Sequence, residues 1–412
     1  MKRIALLGYG TVGSGVYEVV AKNIDSVKDK FKVDISIEDI LVRNVEKYKD
    51  LIHLDKFKTD FDSILESEPD IVVEVMGGLH PAYDYIKKCI ENGIHVVTAN
   101  KDLIAEYGQE LQNLAAQKDV ALLFEASVGG GIPVLKPLQE CLGGNSIDSI
   151  TAVINGTTNF ILSKMYNENM SYEDALKIAQ DVGFAEADPT SDVQGFDAVR
   201  KLAILSSLAY GQEFKWSDMP TVGITDIDSD DIECVKTMDS KIKLLAYSEY
   251  INNELYAAVR PVVVSNSDPI ALIDNEFNAV ILTGDSVGEV MFVGKGAGKL
   301  PTASAVFGDI LDIIQNKKEK SYIELRKDAT IHKLWPKASK WVIRLVGQDK
   351  NTMIRQLLDQ FAGSELRIQT SENDHQIHAV VHSDNESMLL AKLSDLEQAD
   401  NIDHVKYFLV YR

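Results

Sequence analysis

Ile4-Ala5-Leu6-Leu7-Gly8-Tyr9-Gly10-Thr11-Val12-Gly13 is the stretch that decides the fold. Four consecutive apolar residues running into a glycine suit a strand buried on both faces, as in parallel sheets. The glycines fit G-x-G-x-x-G between that strand and a helix, which is the context the pattern requires. They allow a tight turn, close approach of a pyrophosphate and close helix–strand packing, while the helix N-terminus offers N–H groups and partial positive charge. Gly8, Gly10, Thr11, Val12 and Gly13 are therefore candidate contacts to a dinucleotide.

Working outward, a helix is expected from Val12 to Asn23, and the charged stretch Asp25 to Asp34 reads as a surface loop. Further strands are expected at Ile37 to Val42, Asp70 to Val75, Ile94 to Thr98 and Val120 to Phe124, with helical segments between them. This alternation predicts an α/β fold with a Rossmann doubly wound parallel sheet over residues 1–140. Residues 141–320 read as an α+β domain, with a helix near 302–316 packing back on the first domain. A connector follows at 321–340. Residues 341–412 show a βαββαβ pattern, the order of a ferredoxin-like unit.

The 42 Lys+Arg against 63 Asp+Glu leave a net charge of -21, which argues against nucleic acid and anionic membranes as partners. An anionic cofactor must then be met by local positive potential. Three scattered cysteines, Cys89, Cys141 and Cys234, form neither a metal-ligand spacing nor a disulfide framework, and suit a reducing cytoplasm. No signal peptide and no membrane-length apolar run is expected.

The end of the second strand bears on the cofactor. An NAD enzyme usually places Asp or Glu there for the ribose hydroxyls. Here the chain reads Val42-Arg43-Asn44, with Lys47 nearby. Arg43 suits a 2′-phosphate, so NADP(H) is expected over NAD(H), with dual use open. The plainer reading of Arg43 is a solvated arginine.

Several segments carry chemistry. Thr98-Ala99-Asn100-Lys101 lies at the carboxyl end of a strand, facing the ligand crevice of a doubly wound sheet. Lys101 there either reaches nicotinamide and substrate or is a solvated lysine at a helix start. Glu125-Ala126-Ser127-Val128-Gly129-Gly130-Gly131-Ile132-Pro133 sits at the same edge and otherwise reads as a hinge. Asn155-Gly156-Thr157-Thr158-Asn159 is a polar turn of the kind that caps helices. Asp197 and Lys201 are four apart on a predicted helix and share a face. Such pairs are ordinarily surface salt bridges. The helix continues as Leu202-Ala203-Ile204-Leu205, apolar nearly all round, so a carboxylate and an ammonium entering it must be paired or used.

Taken in order, these blocks resemble the homoserine dehydrogenase family. The glycine loop is followed by Glu74-Val75-Met76-Gly77-Gly78, Thr98-Ala99-Asn100-Lys101, the Glu125 segment, Asn155-Gly156-Thr157-Thr158-Asn159, Gly183 to Pro189 and Gly195 to Lys201. The last block runs from Gly294 to Val306. The resemblance implies reversible conversion of L-aspartate 4-semialdehyde to L-homoserine with NAD(P)H. It implies Lys201 as proton donor and acceptor, Asp197 as its acidic partner, Glu186 on the substrate's amino group with Asp192 as helper, and Lys101 near nicotinamide and substrate. It further implies Thr98, Lys101 and Gly298 near the cofactor, and a sodium ion held at Glu125, Val128, Gly130 and Ile132, chiefly by backbone carbonyls. A homodimer, or a homotetramer through the tails, is also implied.

The tail resembles an ACT regulatory domain. Its loop Gly347-Gln348-Asp349-Lys350-Asn351 lacks the Pro-Gly usual at amino-acid sites, so allosteric threonine and a purely structural tail both stay open. Two rival functions are weighed. An aspartate-semialdehyde dehydrogenase would need a cysteine thiolate. A non-catalytic sensor of NAD(P) or an amino acid would not need Glu186, Asp197 and Lys201.

Overall fold

The computed structural model describes residues 1–51, 53–251, 254–315, 325–326, 330–370 and 375–412. Its elements in chain order begin with β1 (Lys2–Leu7), α1 (Thr11–Phe31), β2 (Ile35–Leu41), β3 (Phe57–Lys58), α2 (Phe61–Glu66), β4 (Ile71–Glu74), α3 (Ala82–Glu91), β5 (His95–Thr98), α4 (Lys101–Gln117) and β6 (Leu122–Leu123). There follow β7 (Ile147–Val153), α5 (Gly156–Glu168), α6 (Tyr172–Asp181), α7 (Thr190–Val193), α8 (Phe196–Tyr210), α9 (Ser229–Thr237), β8 (Ser240–Ile251), β9 (Glu254–Ser265), β10 (Phe277–Gly284), β11 (Gly288–Lys295) and α10 (Lys299–Ile314). The chain closes with β12 (Ile331–His332), β13 (Ser339–Gly347), α11 (Lys350–Gln360), β14 (Leu366–Thr370), β15 (Gln376–Ser383), α12 (Glu386–Glu397) and β16 (Ile402–Tyr411). Two compact units contain them: residues 1–154, 199–218 and 277–329 in one, and 155–198, 219–276 and 330–412 in the other.

The first unit holds a six-stranded sheet in the order β3-β2-β1-β4-β5-β6, every pair parallel. This is the Rossmann strand order, and it reverses between β1 and β4, where ligands of such sheets bind. Ile4, Leu6, Ile71, Val73 and Val97 are completely buried, as strands covered by helices on both faces require. The same unit contains an antiparallel trio, β7-β10-β11.

The late helix α10 joins the same core as α1. Ala303, Val306, Ile310 and Ile313 cluster with Ile4, Leu6, Val16, Val20 and Ile71. Each large side chain so buried contributes about 2 kcal/mol.

One expectation fails. The charged run after Asn23 is no loop; α1 continues to Phe31. Val27 gives that end a buried anchor, and Lys28 and Lys30 lie in the last turn, where cations suit the helix dipole. Lys28 also pairs with Asp34 beyond the end, at 2.8 Å. The helix stops at Lys32, whose φ of 57° is left-handed.

The second unit carries a mixed sheet. β8 and β9 pair antiparallel, β9 pairs parallel with β16 and with β12, and β16-β13-β15-β14 are antiparallel. The βαββαβ order expected of the tail is present from β13 to β16, with Trp341, Ile343, Leu345, Met353, Leu357, Ile377 and Leu389 fully buried. Strand β8 and helix α9 were not anticipated. Most of the expected connector before residue 330 lies outside the described residues.

Candidate active site

At the β1/β4 reversal the three glycines do different work. Gly8 has φ +106°, and a Cβ there would lie 2.9 Å from the carbonyl oxygen of Val75. A Cβ on Gly13 would lie 2.2 Å from the carbonyl oxygen of Gly8, so only glycine lets α1 start this close to the strand. A Cβ on Gly10 would meet nothing within 4 Å. Its missing side chain leaves room over the turn, not protein packing. Gly10 caps α1 with no side-chain hydrogen bond, and no acidic residue lies in the first turn. The opening amides at Thr11, Val12 and Gly13 thus suit an anion.

At the end of β2, Arg43 and Lys47 are exposed, and Lys47 lies over the Tyr48 ring at 5.7 Å. Tyr48 donates to the Tyr9 carbonyl at 3.2 Å, tying this rim to the glycine loop. Gly298 caps α10 with φ +122°.

Glu74, at the end of β4, has no solvent exposure. Burial pushes its carboxyl up, against hydrogen bonds from the Thr98 hydroxyl and the amides of Met76 and Gly77. The Thr98 hydroxyl donates at 2.5 Å, and Thr98 Oγ1 accepts from the Asn100 amide at 3.0 Å. Asn100 in turn donates to the Gly78 carbonyl at 2.7 Å and caps α4 through Leu103. Thr98 is therefore engaged with Glu74, and Lys101 is the first residue of the helix this network fixes. Sequence reasoning gave Glu74 no role. An acid in an otherwise apolar strand was the available signal.

The Glu125 carboxylate is spent on protein: it accepts from the amides of Val134, Leu135 and Lys136 at 2.6, 2.9 and 2.7 Å. The Glu125 amide donates to Asp309 at 3.0 Å. Val128, Gly130 and Ile132 are buried in a loop whose turn is closed by the Ile132 amide on the Gly129 carbonyl. A monovalent cation there would find backbone carbonyls as ligands, and Glu125 would serve through its backbone. Among the described residues, no group of three or more His, Cys, Asp or Glu side chains is arranged to hold a metal ion.

Within the second unit the turn at Asn155 organises carboxylates. Its side-chain oxygen caps α5 by accepting from the Thr158 amide at 2.8 Å. Its Nδ2 donates to Asp192 at 2.7 Å and to Asp197 at 2.8 Å. Asp197 and Asn155 are both about 5% exposed. Glu186 is exposed, on a loop held by Gln180 Nε2 on its carbonyl and by the Thr157 hydroxyl on the Phe184 carbonyl. The expected cap at Asn155 is present; its second task, bridging two acids, was missed, because sequence spacing does not reveal which distant carboxylates an amide meets.

In the first unit, Lys201 of α8 is half-buried and donates to the Ile154 carbonyl at 2.8 Å, at the end of β7. Asp197 and Lys201 lie one turn apart on α8. Arg200, beside them, pairs with Asp102 and lies over the Trp216 ring at 4.6 Å.

Two family models match the chain: a homoserine dehydrogenase NAD-binding domain over residues 8–125 and a homoserine dehydrogenase domain over 133–311. A homoserine dehydrogenase of Bacillus subtilis is 40% identical over 318 residues, covering 77% of this chain and 73% of that protein. A homoserine dehydrogenase structure from Thiobacillus denitrificans superimposes with TM-score 0.91 at 33% identity, covering all of this chain and 98% of that one. A hyperthermophilic archaeal homoserine dehydrogenase in complex with NADPH matches with TM-score 0.65 at 30% identity, over 77% of this chain and 98% of that one.

Proposed function

This chain belongs to the homoserine dehydrogenase family and is an NAD(P)-dependent oxidoreductase, and we propose how its residues divide the reaction between L-homoserine and L-aspartate 4-semialdehyde. The observation that carries the reading is Asn155 joining Asp192 and Asp197 on one amide. Two carboxylates held at a helix cap suit the ammonium of an amino-acid substrate, with Glu186 on the neighbouring loop as a further contact.

The nicotinamide, when bound, supplies the hydride chemistry. Lys201 holds or takes the proton at the substrate's reacting oxygen: its ammonium protonates the alkoxide formed on reduction, and its neutral amine accepts that proton on oxidation. Asp197 is assigned as its acidic partner, one turn away on the same helix. Lys101 is assigned to the nicotinamide side, Gly8 to Gly13 with Gly298 to the cofactor, and Arg43 and Lys47 to a 2′-phosphate, giving NADP(H) precedence over NAD(H). NADPH in the archaeal relative supports a nicotinamide phosphate as ligand.

A sodium ion at Glu125, Val128, Gly130 and Ile132, held chiefly by backbone carbonyls, an ACT-like role for residues 341–412, threonine as effector there, and a homodimer or homotetramer in the cytoplasm complete the proposal. It also retains the linear division of the chain: dinucleotide binding at 1–140, catalysis and dimerisation at 141–320. The acyl-enzyme alternative loses support from two of the three cysteines. Burial pushes the Cys89 and Cys234 thiols up to about 12, far from a thiolate at neutral pH.

The test is L-homoserine-dependent reduction of NADP+ and of NAD+ by the purified protein, with and without threonine. In Lys201→Ala the rate is expected to fall about 10²–10⁴-fold with NADP+ binding retained. Turnover near that of the wild type would remove Lys201 from the mechanism.

A further inference from the structure

Lys243 is a buried charge that the proposed mechanism leaves unused. It sits in β8, only 1% exposed. An ammonium so placed is tolerated only when paired and hydrogen-bonded. Its three donors meet three acceptors: Asp274 Oδ1 at 2.9 Å, the Ile273 carbonyl at 2.6 Å and Asn159 Oδ1 at 3.0 Å. The Asn159 amide group donates to the carbonyls of Ile273 and Asn275, both at 2.9 Å, so this side chain is locked at both ends. The backbone amide of Asn159 donates to the Asn155 carbonyl, which closes the first turn of α5. Asn155 is the residue that bridges Asp192 and Asp197.

We propose that Lys243 is a positioning residue for substrate binding: through Asn159 it fixes the first turn of α5, and so the angle at which Asn155 presents the Asp192 and Asp197 carboxylates. The inference rests on the reading that these two acids serve the substrate's ammonium. An apolar side chain of equal length would fill the same space but leave the Asp274 carboxylate and the Asn159 carbonyl short of a donor.

A pH signature follows. Burial pushes Lys243 down to about 8, with Asp274 pulling the other way. The charged and titratable neighbours are Asp274 after β9, Lys241 on β8 (3.0 Å from Asp274), Tyr166 on α5 (5.1 Å from Lys241) and Lys236 on α9 (5.0 Å from the Tyr166 ring). Above that pH the amine keeps two N–H donors for three acceptors. Asn159, at the longest of the three distances, is the contact that slackens.

The experiment measures KM and kcat for L-homoserine, and KM for NADP+, from about pH 7 to pH 10 in the full-length protein. In the wild type the homoserine KM should climb as the pH passes about 8. In Lys243→Met it should be about tenfold higher at about pH 7 with no step near pH 8, keeping only the more alkaline climb due to the substrate's own ammonium that every variant shares, with a smaller change in kcat and an unchanged NADP+ KM. Asp274→Asn removes the anion that favours the ammonium, so the climb should move about one pH unit lower, which a merely structural contact would not do. Should Lys243→Met fail to fold, the Asp274→Asn profile decides alone. A wild-type homoserine KM in Lys243→Met, or an Asp274→Asn profile coincident with the wild type, would overturn the proposal. Asn155→Ala separates the two layers. If it leaves the homoserine KM unchanged, the carboxylate reading itself falls. If it raises that KM while Lys243→Met does not, only the role of Lys243 falls.

Discussion

The glycine loop of the first unit and the Asn155 turn of the second, the two proposed binding sites, are built by opposite means. The loop binds with backbone. Side chains are missing at Gly8, Gly10 and Gly13: a Cβ would meet the Val75 carbonyl at Gly8, nothing at Gly10, and the Gly8 carbonyl only five residues back at Gly13. The Asn155 turn, the proposed substrate site, is made of side chains drawn together across the sequence: one amide meets acids 37 and 42 residues away. A backbone site is written in a short string; a side-chain site is written in the tertiary fold.

If that contrast is sound, damage to one site should spare the other. Gly13→Ala sets a Cβ 2.2 Å from a backbone oxygen, so α1 must move. NADP+ affinity should drop about a hundredfold, since displacements near 1 Å carry penalties of that order. Thermal unfolding should confirm a folded protein, and a comparable loss in homoserine affinity would break the contrast. Asn155→Ala should do the converse. It removes a helix cap and two hydrogen bonds to carboxylates, and kcat/KM for homoserine should fall about thirtyfold with NADP+ binding intact. Arg43→Ala acts at the rim of the backbone site. The NADP+ KM should rise about tenfold while the NAD+ KM barely moves, because only one of the two carries a 2′-phosphate. Equal effects on both would take Arg43 out of the selectivity.

The smallest effect on rate belongs to Arg344 in the tail, which binds Asp228, Asp230 and Asp231 at the start of α9. Burial alone would push the Asp228 carboxyl up, but hydrogen bonds from Arg344 and Lys406 outweigh it and hold the group far below the ordinary carboxylate range. A depressed carboxylate stabilises the fold above its unfolded value, near 4, and that contribution is lost as the pH falls below it. Arg344→Met should therefore lower Tm by several degrees at neutral pH, with the gap to the wild type closing in acid and kcat hardly changed.

Legibility followed the range of the forces involved. The parallel sheet was readable because β1, β4 and β5 are short apolar runs ending at polar or glycine turns. The end of α1 was misread because it is held by one buried valine and by charge, a pattern that also describes a loop. Strand β8 is not legible in the sequence because it is buried along most of its length and so shows no alternation, and because nothing local shows that its Lys243 is paired with Asp274. Among site residues, the glycines, Asp197 and Lys201 stood out in sequence. Glu74 and Asn155 did not acquire their partners until the chain was folded.

Helix α10 has a consequence for how the chain reaches this state. Its side chains complete a core begun by β1 and α1, and a Cβ on Gly15 would lie 2.5 Å from the Lys299 carbonyl oxygen, so the two segments nearly touch. Closing that contact means bringing together residues nearly three hundred positions apart, a slow and entropically costly loop. During synthesis the nucleotide-binding sheet must wait, with Val16 and Val20 short of their final cover, until residue 314 has emerged. A fragment cut after the sixth parallel strand should accordingly be prone to aggregate, and co-expression of a peptide spanning 299–314 should rescue it.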